Sequence, residues 1–183
     1  MDDPYGLERF VAAQDDGGTY QRAVAELCAG AKRGHWMWFV FPQIAGLGFS
    51  AMSRRYAITS LAEARAYLAH PVLGPRLTDC ARTVAATEGK SAAAILGDID
   101  AIKLCSSMTL FRTAAPEEPV FGEVLEKYFG GEPDPATLER LALPLAPPRP
   151  RAARTRRRNS WPHRWPHRSR LPGTLPLERL VSP

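Results

Sequence analysis

The sequence contains few cysteines and no long hydrophobic run. Its three cysteines, Cys28, Cys80 and Cys105, are widely spaced, and no two have the CxxC spacing of a zinc or redox site. We therefore expect three reduced, buried thiols and no metal site. The longest apolar stretch, from Trp36 to Phe41, has six residues, whereas a membrane-spanning helix needs about 20. Together with an acidic N-terminus that has no targeting character, this predicts a cytoplasmic protein that does not enter a membrane.

The sequence also lacks the short motifs of several large enzyme classes. It contains no GxxxxGKS/T phosphate loop, no GxGxxG after a strand, no GxSxG nucleophile turn and no HExxH metal motif. These absences disfavour kinase, P-loop and Rossmann functions. We expect no bound cofactor.

Charge and proline divide the chain into two parts. Residues 1–142 contain 14 Lys and Arg against 18 Asp and Glu, a net charge of −4. Residues 143–183 contain ten Arg, no Lys, one acid (Glu178) and nine of the 17 prolines, with a net charge of +9. We therefore predict a globular domain over 1–142 and a disordered Arg/Pro-rich tail over 143–183. Such a tail would bind nucleic acid only weakly and non-specifically, and its composition is also what a shifted, GC-rich reading frame would give.

Helix signals dominate the first part. Ser60 and Glu63 form a capping box, and Asp134 followed by Pro135 is a typical helix start. Such signals predict an all-α fold of about seven to nine short helices with short connections. The exception is 34–48, where aromatic residues alternate so that both faces are apolar. We expect this segment to be irregular or strand-like and buried at the centre of the domain.

Four stretches of the domain resemble the bacterial DUF1810 family, a domain of unknown function whose members are sometimes labelled calpastatin. The stretches are LERFVAAQ (7–14), GHWMWFVFPQIAGLG (34–48), EARAYLAHPVLGPRL (63–77) and DAIKLCSSMTLF (100–111). The resemblance covers about 2–141, nearly the whole predicted domain, and the tail has no counterpart in it. It implies a compact, mostly helical single domain and brings no established activity.

The order of these stretches is also similar in outline to the YbiA-like proteins. That helical family is implicated in NAD- and ADP-ribose-related chemistry and cleaves N-glycosidic bonds. His35 stands where those proteins carry a glutamate. This second resemblance implies a nucleotide or ADP-ribose-like ligand and, for an enzyme, hydrolysis of an N-glycosidic bond.

The candidate site residues lie in two stretches, 34–56 and 100–111. His35 and Asp100 are candidate acid–base catalysts, and Lys103 is a candidate electrostatic clamp. The expected ligand-binding residues offer aromatic faces, an amide, hydroxyls and a guanidinium, and they are Trp36, Trp38, Gln43, Ser50, Arg54, Tyr56, Ser106, Ser107 and Thr109. We predict one site where the two stretches meet. The alternative is a non-enzymatic interaction domain whose aromatic residues are only core, and the sequence does not decide between them.

Overall fold

The computed structural model describes residues 3–142, which form ten α-helices and one 3-10 helix. In chain order these are α1 (Glu8–Asp15), the 3-10 helix (Asp16–Gly18), α2 (Thr19–Cys28), α3 (Met37–Val40), α4 (Ala51–Arg55), α5 (Leu61–Ala69), α6 (Leu73–Ala86), α7 (Ala92–Leu96), α8 (Asp98–Ala114), α9 (Val120–Phe129) and α10 (Pro135–Ala142). Between residues 3 and 142, the only β-type pairing is one parallel bridge between Ile44 and Ile58. The all-α prediction is therefore confirmed.

Local sequence signals set two of the helix starts. The Ser60 hydroxyl accepts a hydrogen bond from the backbone N–H of Glu63 at 3.1 Å and so caps α5. The Asp134 carboxylate accepts from the backbone N–H of Thr137 at 3.1 Å and caps α10. Both starts were predicted from residue type and spacing.

The central element of the domain is α8, which packs against α5, α7, α9 and α10. Its buried residues lie all around the helix and include Met108, Leu110 and Phe111. A helix whose middle is buried on every side is a core helix, and residues 106–111 of α8 are all buried. Its N-terminal end differs, because Ile99 and Ile102 are exposed there.

The aromatic segment 34–48 is irregular, but its centre is a helical turn and not a strand. In α3 the backbone N–H of Val40 donates to the carbonyl of Trp36 at 3.1 Å. Trp36 and Trp38 therefore do not share a face: Trp36 is buried and Trp38 is half-buried. The strand-like alternative is wrong because a segment that is apolar on all sides has no periodicity that distinguishes a strand from a helix.

Arg9 of α1 ties the N-terminal segment to α4 and α5. Its guanidinium donates to the backbone carbonyls of Gly6, Arg55 and Ala57 at 2.8, 3.1 and 3.0 Å. It also donates to the carboxylate of Glu63 at 2.6 Å. Glu63 is only 2% exposed and the Arg9 side chain is 23% exposed, so the ion pair is partly buried.

Side chains from other elements close the C-terminal ends of two helices. Lys90 donates to two carbonyls just after α2, at 2.9 and 3.2 Å. Lys127 and Tyr128 of α9 donate to three carbonyls at the end of α6, at 2.7, 2.7 and 3.1 Å. These bonds satisfy carbonyls that a helix end leaves without a partner, and the two lysines also suit the negative end of the helix dipole.

The predicted tail over 143–183 lies outside the described residues, and so does its expected binding of nucleic acid. Within residues 3–142, every helix is too short or too polar to cross a lipid bilayer. In the same range, no three His, Cys, Asp or Glu side chains lie close enough together to hold a metal ion.

The three cysteines differ in exposure. Cys80 is buried, Cys105 is half-buried and Cys28 is exposed. The expectation of three buried thiols is therefore wrong for two of them. Cys28 follows the buried Leu27 at the end of α2, where one residue further along the helix already faces outward.

Candidate functional site

Three of the predicted site residues line one cavity. This cavity, here called the α2 cavity, lies between α2 and the segment 34–41 and has a volume of about 350 Å³. The predicted residues that line it are His35, Trp36 and Tyr56. Its polar lining also includes four residues that the sequence analysis did not single out, Asp16, Thr19, Arg22 and Glu26.

Glu26 fixes the loop that carries His35. One of its carboxylate oxygens, Oε2, accepts three hydrogen bonds: from the backbone N–H groups of Arg33 and Gly34 at 2.8 and 2.9 Å, and from the indole N–H of Trp36 at 2.8 Å. The other oxygen, Oε1, accepts no hydrogen bond from a described residue. Glu26 therefore holds the cavity wall with one oxygen and leaves the second available.

The same hydrogen bonds keep Glu26 ionised. Partial burial by itself raises the pKa of Glu26, but the N–H donors of Arg33, Gly34 and Trp36, with the nearby Lys32 ammonium, lower the pKa below its usual value. At neutral pH the cavity wall thus carries a negative charge.

The other polar groups of the α2 cavity keep hydrogen-bonding capacity that the fold does not use. His35 is exposed. The Tyr56 ring packs against Phe39 with centroids 5.3 Å apart, but no described residue hydrogen-bonds to its hydroxyl. Arg22 is exposed, and its guanidinium donates to the carbonyl of Gly17 and to the hydroxyl of Thr19 at 2.8 Å, which leaves its other N–H groups available. The cavity thus combines an imidazole, a phenol, a guanidinium and a carboxylate oxygen.

Asp100 and Lys103, two of the candidate catalytic residues, belong to a separate ion-pair network. The Asp100 carboxylate pairs with the ammonium groups of Lys32 at 2.7 Å and Lys103 at 2.8 Å. Lys32 lies over the ring of Trp36 at 5.0 Å, and Lys103 lies over the ring of Trp38 at 4.5 Å. The network fastens the aromatic segment to α8.

This network argues against Asp100 as an acid–base catalyst. Burial by itself raises the pKa of Asp100, but its hydrogen bonds and charge attraction to Lys103 and Lys32 lower the pKa below its usual value. The carboxylate is therefore a poor proton donor and a weak base at neutral pH. Lys103 is held by Asp100, which weakens it as an anion clamp, although one carboxylate shared by two ammonium groups leaves the network with a net charge of +1.

We expect the substitution Asp100→Asn to lower the free energy of unfolding at pH 7 by roughly 2 kcal/mol, less than the ~3–5 kcal/mol of a fully buried pair. Because the folded-state pKa of Asp100 is depressed, its contribution is complete above the unfolded-state pKa and is lost as the pH falls through the folded value. The difference between wild type and variant should therefore shrink from pH 7 to about pH 3 in urea titrations. A difference that stays constant over this range would contradict the assignment.

Three further predicted residues, Gln43, Lys103 and Ser106, line a smaller groove of about 220 Å³ beside the N-terminal half of α8, here called the α8 groove. The rest of its lining consists of Leu47, Gly48, Ser53, Ile99 and Ile102. The groove is therefore mainly apolar and offers few groups that could hold a nucleotide.

The hydroxyls of Ser106 and Thr109 mainly anchor α10. The Ser106 hydroxyl donates to the carboxylate of Asp134 at 2.8 Å, and the Thr109 hydroxyl accepts from the backbone N–H of Asp134 at 2.8 Å. Ser107 is fully buried, and its hydroxyl has no hydrogen-bond partner among the described residues. These three residues thus do not form a shared anion site.

Ser50 and Arg54 stabilise the short helix α4. The Ser50 hydroxyl accepts from the backbone N–H of Ser53 at 3.0 Å, and Arg54 donates to the carbonyl of Phe49. The two stretches 34–56 and 100–111 meet at the α8 groove, but only Gln43, Lys103 and Ser106 of the predicted residues line it. The other predicted residues are divided among the α2 cavity, the Asp100 network and helix ends.

One weak sequence signal marks the residues of the α2 cavity that were not predicted as site residues. Arg22 and Glu26 are four positions apart, on the face of α2 next to the buried Ala23 and Leu27. That spacing shows that the two side chains share a face. It does not show that the loop 31–36 folds back over them, because this depends on hydrogen bonds between residues seven to ten positions apart.

Residues 4–141 match the model of the family described as "Protein of unknown function (DUF1810)". Among solved structures, the conserved hypothetical protein Rv1873 from Mycobacterium tuberculosis is similar, with 52% sequence identity and a TM-score of 0.75 over 77% of this chain and 99% of that one. None of the curated proteins compared with the chain matches it significantly. The described fold and these matches agree with the resemblance of its four sequence stretches, and the chain belongs to the DUF1810 family.

Proposed function

We propose that the domain binds a nucleotide-like small molecule in the α2 cavity. The observation that carries this proposal is the convergence of His35, Tyr56 and Arg22 on one cavity beside the available oxygen of Glu26. The volume of about 350 Å³ lies within the range of roughly 300–1,000 Å³ that is usual for small-molecule sites. A mainly apolar floor with a few polar groups is also usual for such sites.

The lining groups match the parts of a nucleotide. Arg22 and His35 can donate to a phosphate. Glu26 Oε1 can accept from a sugar hydroxyl. Phe39 and Met52 supply an apolar surface for a ring. The combination favours a ligand with an anionic group at one end and a flat ring at the other.

In its more specific form, the proposal is that the ligand is ADP-ribose-like and that the domain cleaves an N-glycosidic bond. In that reaction the bond between the anomeric carbon and the base nitrogen breaks, and its electron pair leaves with the base. His35 would protonate the leaving nitrogen, while a water molecule adds to the carbon and gives its proton to the neutral imidazole that His35 has become. The ionised Glu26 would stabilise the positive charge that develops on the sugar. The similarity in outline to the YbiA-like proteins supports this form.

A thermal-shift and calorimetric titration with AMP, ADP, ADP-ribose and NAD tests the proposal. A ligand at about 100 times its Kd adds about 2.7 kcal/mol, which raises the Tm by several degrees. The substitution Arg22→Gln should weaken binding about tenfold or more, because a hydrogen bond to a charged group contributes about 1.5–3 kcal/mol. Tyr56→Phe tests the hydroxyl with little change of shape.

The matched control is Arg112→Gln, which removes an exposed arginine from α8, away from the α2 cavity. It should leave the ligand affinity unchanged. The proposal is wrong if none of the four compounds shifts the Tm at millimolar concentration. It is also wrong if Arg22→Gln and Arg112→Gln weaken binding equally.

A further inference from the structure

The most exposed large apolar side chains of residues 3–142 lie close together at the α8 groove. Phe49, Ile99 and Ile102 are 86%, 72% and 67% exposed. Ile99 and Ile102 line the groove, and Phe49 directly follows Gly48, which also lines it. Exposed apolar residues are common singly, but a cluster of them beside a groove marks a contact surface.

Phe49 adjoins a lining residue of the α8 groove in the chain, and the groove is large enough to receive a phenyl ring. The groove has a volume of about 220 Å³ and a mainly apolar lining. A phenyl ring that enters such a groove buries about 150–250 Å² of surface. Phe49 remains exposed and does not fill the α8 groove of its own chain. Its side chain can therefore enter the α8 groove of another molecule.

Charges of opposite sign flank the groove. Arg54 and Arg55 lie on α4, next to Ser53 at one side of the groove, and both are exposed. Asp98 precedes Ile99 at the other side and is also exposed. None of these three side chains forms an ion pair with a described residue. A surface with a positive and a negative side is complementary to a copy of itself that is rotated by 180°.

We propose that this face binds a second copy of the chain in a twofold-symmetric dimer. Phe49 of each copy enters the α8 groove of the other and packs against the partner's Ile99 and Ile102. Arg54 of each copy then faces the partner's Asp98. The arrangement repeats each contact twice, as a twofold interface requires. It is independent of the ligand proposed for the α2 cavity.

Sedimentation equilibrium of the full chain, from micromolar to millimolar concentration, tests this interface. Because the contact is small, we expect a weak, reversible dimer. Phe49→Ser should weaken dimerisation at least about tenfold, since a buried aromatic anchor carries much of the binding energy of an interface. Ile102→Gln changes the receiving groove and should have a similar effect. Both residues are exposed, so circular dichroism should show an unchanged fold.

The control for loss of an exposed apolar side chain is Leu138→Ser. Leu138 is 40% exposed but does not line the α8 groove, and its substitution should leave the dimer intact. Charge reversal tests the orientation: Arg54→Glu should weaken the dimer, and Arg54→Glu combined with Asp98→Arg should restore it.

Three results would overturn the proposal. The first is a wild-type chain that is monomeric at millimolar concentration. The second is a dimer that Phe49→Ser and Ile102→Gln leave unchanged. The third is a dimer that Leu138→Ser weakens as much as Phe49→Ser does, since association would then follow general hydrophobicity and not this groove.

Discussion

Replacing Gly74 with alanine is expected to lower the free energy of unfolding by more than about 3 kcal/mol or to prevent folding. A Cβ atom at position 74 would lie 1.9 Å from the carbonyl oxygen of Leu68 and 2.8 Å from its carbonyl carbon. Both are backbone atoms of α5, so no side-chain rotation can relieve the clash. Helices α5 and α6 would have to separate. Urea unfolding followed by circular dichroism measures the effect.

The matched control is Gly122→Ala in α9. A Cβ atom there would lie no closer than 3.9 Å to its nearest neighbour, the Nε atom of Arg112. Alanine has the higher helix propensity, so this substitution should stabilise the domain by up to about 1 kcal/mol. If Gly74→Ala behaves like Gly122→Ala, the close approach of α5 and α6 is not required for the fold.

Replacing Arg9 with methionine is expected to lower the free energy of unfolding by roughly 2–3 kcal/mol, below the ~3–5 kcal/mol of a fully buried pair because the Arg9 side chain is 23% exposed. The substitution removes the cation from Glu63, which is only 2% exposed, and leaves its carboxylate buried without a counter-charge. It also removes the hydrogen bonds to the carbonyls of Gly6, Arg55 and Ala57. Methionine keeps much of the length and apolar contact of the arginine stem, so the loss reports on the charge and its hydrogen bonds.

Two further variants separate the ion pair from a general effect of losing arginine. Arg82 is 59% exposed and pairs with Asp79 and Glu118 at 3.5 and 3.6 Å, so Arg82→Met should change stability by less than about 1 kcal/mol. Adding Glu63→Gln to Arg9→Met should recover part of the loss, because the buried charge is then absent. An Arg9→Met variant as stable as Arg82→Met would refute the assignment.

A helix end could be predicted from the sequence where its capping residue is close to it in the chain. The capping box of α5 is an example, but only its first half follows the pattern. Glu63 does not return to the N–H of Ser60. Its Oε2 atom accepts from the backbone N–H of Thr59 at 2.8 Å, while Oε1 is held by Arg9, 54 positions away. A pairing over that distance leaves no local signal.

The helical turn α3 could not be predicted for a similar reason. Its four residues are too few to form a stable helix alone. The carbonyl of Phe39 within it accepts from the side-chain amide of Gln14 at 2.8 Å and from the hydroxyl of Tyr67 at 3.2 Å. These donors come from α1 and α5. The conformation of the aromatic segment therefore depends on tertiary contacts and not on its own periodicity.

Only part of the candidate site could be predicted from the sequence, and the reason is physical. An aromatic segment with His35 indicated the right part of the chain, and His35, Trp36 and Tyr56 do line the α2 cavity. The polar set of 100–111 was misleading, because Asp100 pairs with both Lys103 and Lys32, and because Ser106 and Thr109 bind Asp134. Residue types show which charges and hydrogen-bonding groups a segment offers. The residues that bind those groups in the fold are distant in sequence, so the sequence does not show which groups remain free.

The closed end of α6 has a consequence for amide hydrogen exchange. Helix ends usually fray and exchange their amide hydrogens quickly. Here the last carbonyls of α6 accept hydrogen bonds from Lys127 and Tyr128 of α9, so the final turn cannot open without breaking these bonds to α9. The amides of that turn should therefore exchange at the rate at which α9 detaches. The end of α6 and the whole of α9 would then behave as one cooperative unit of local unfolding.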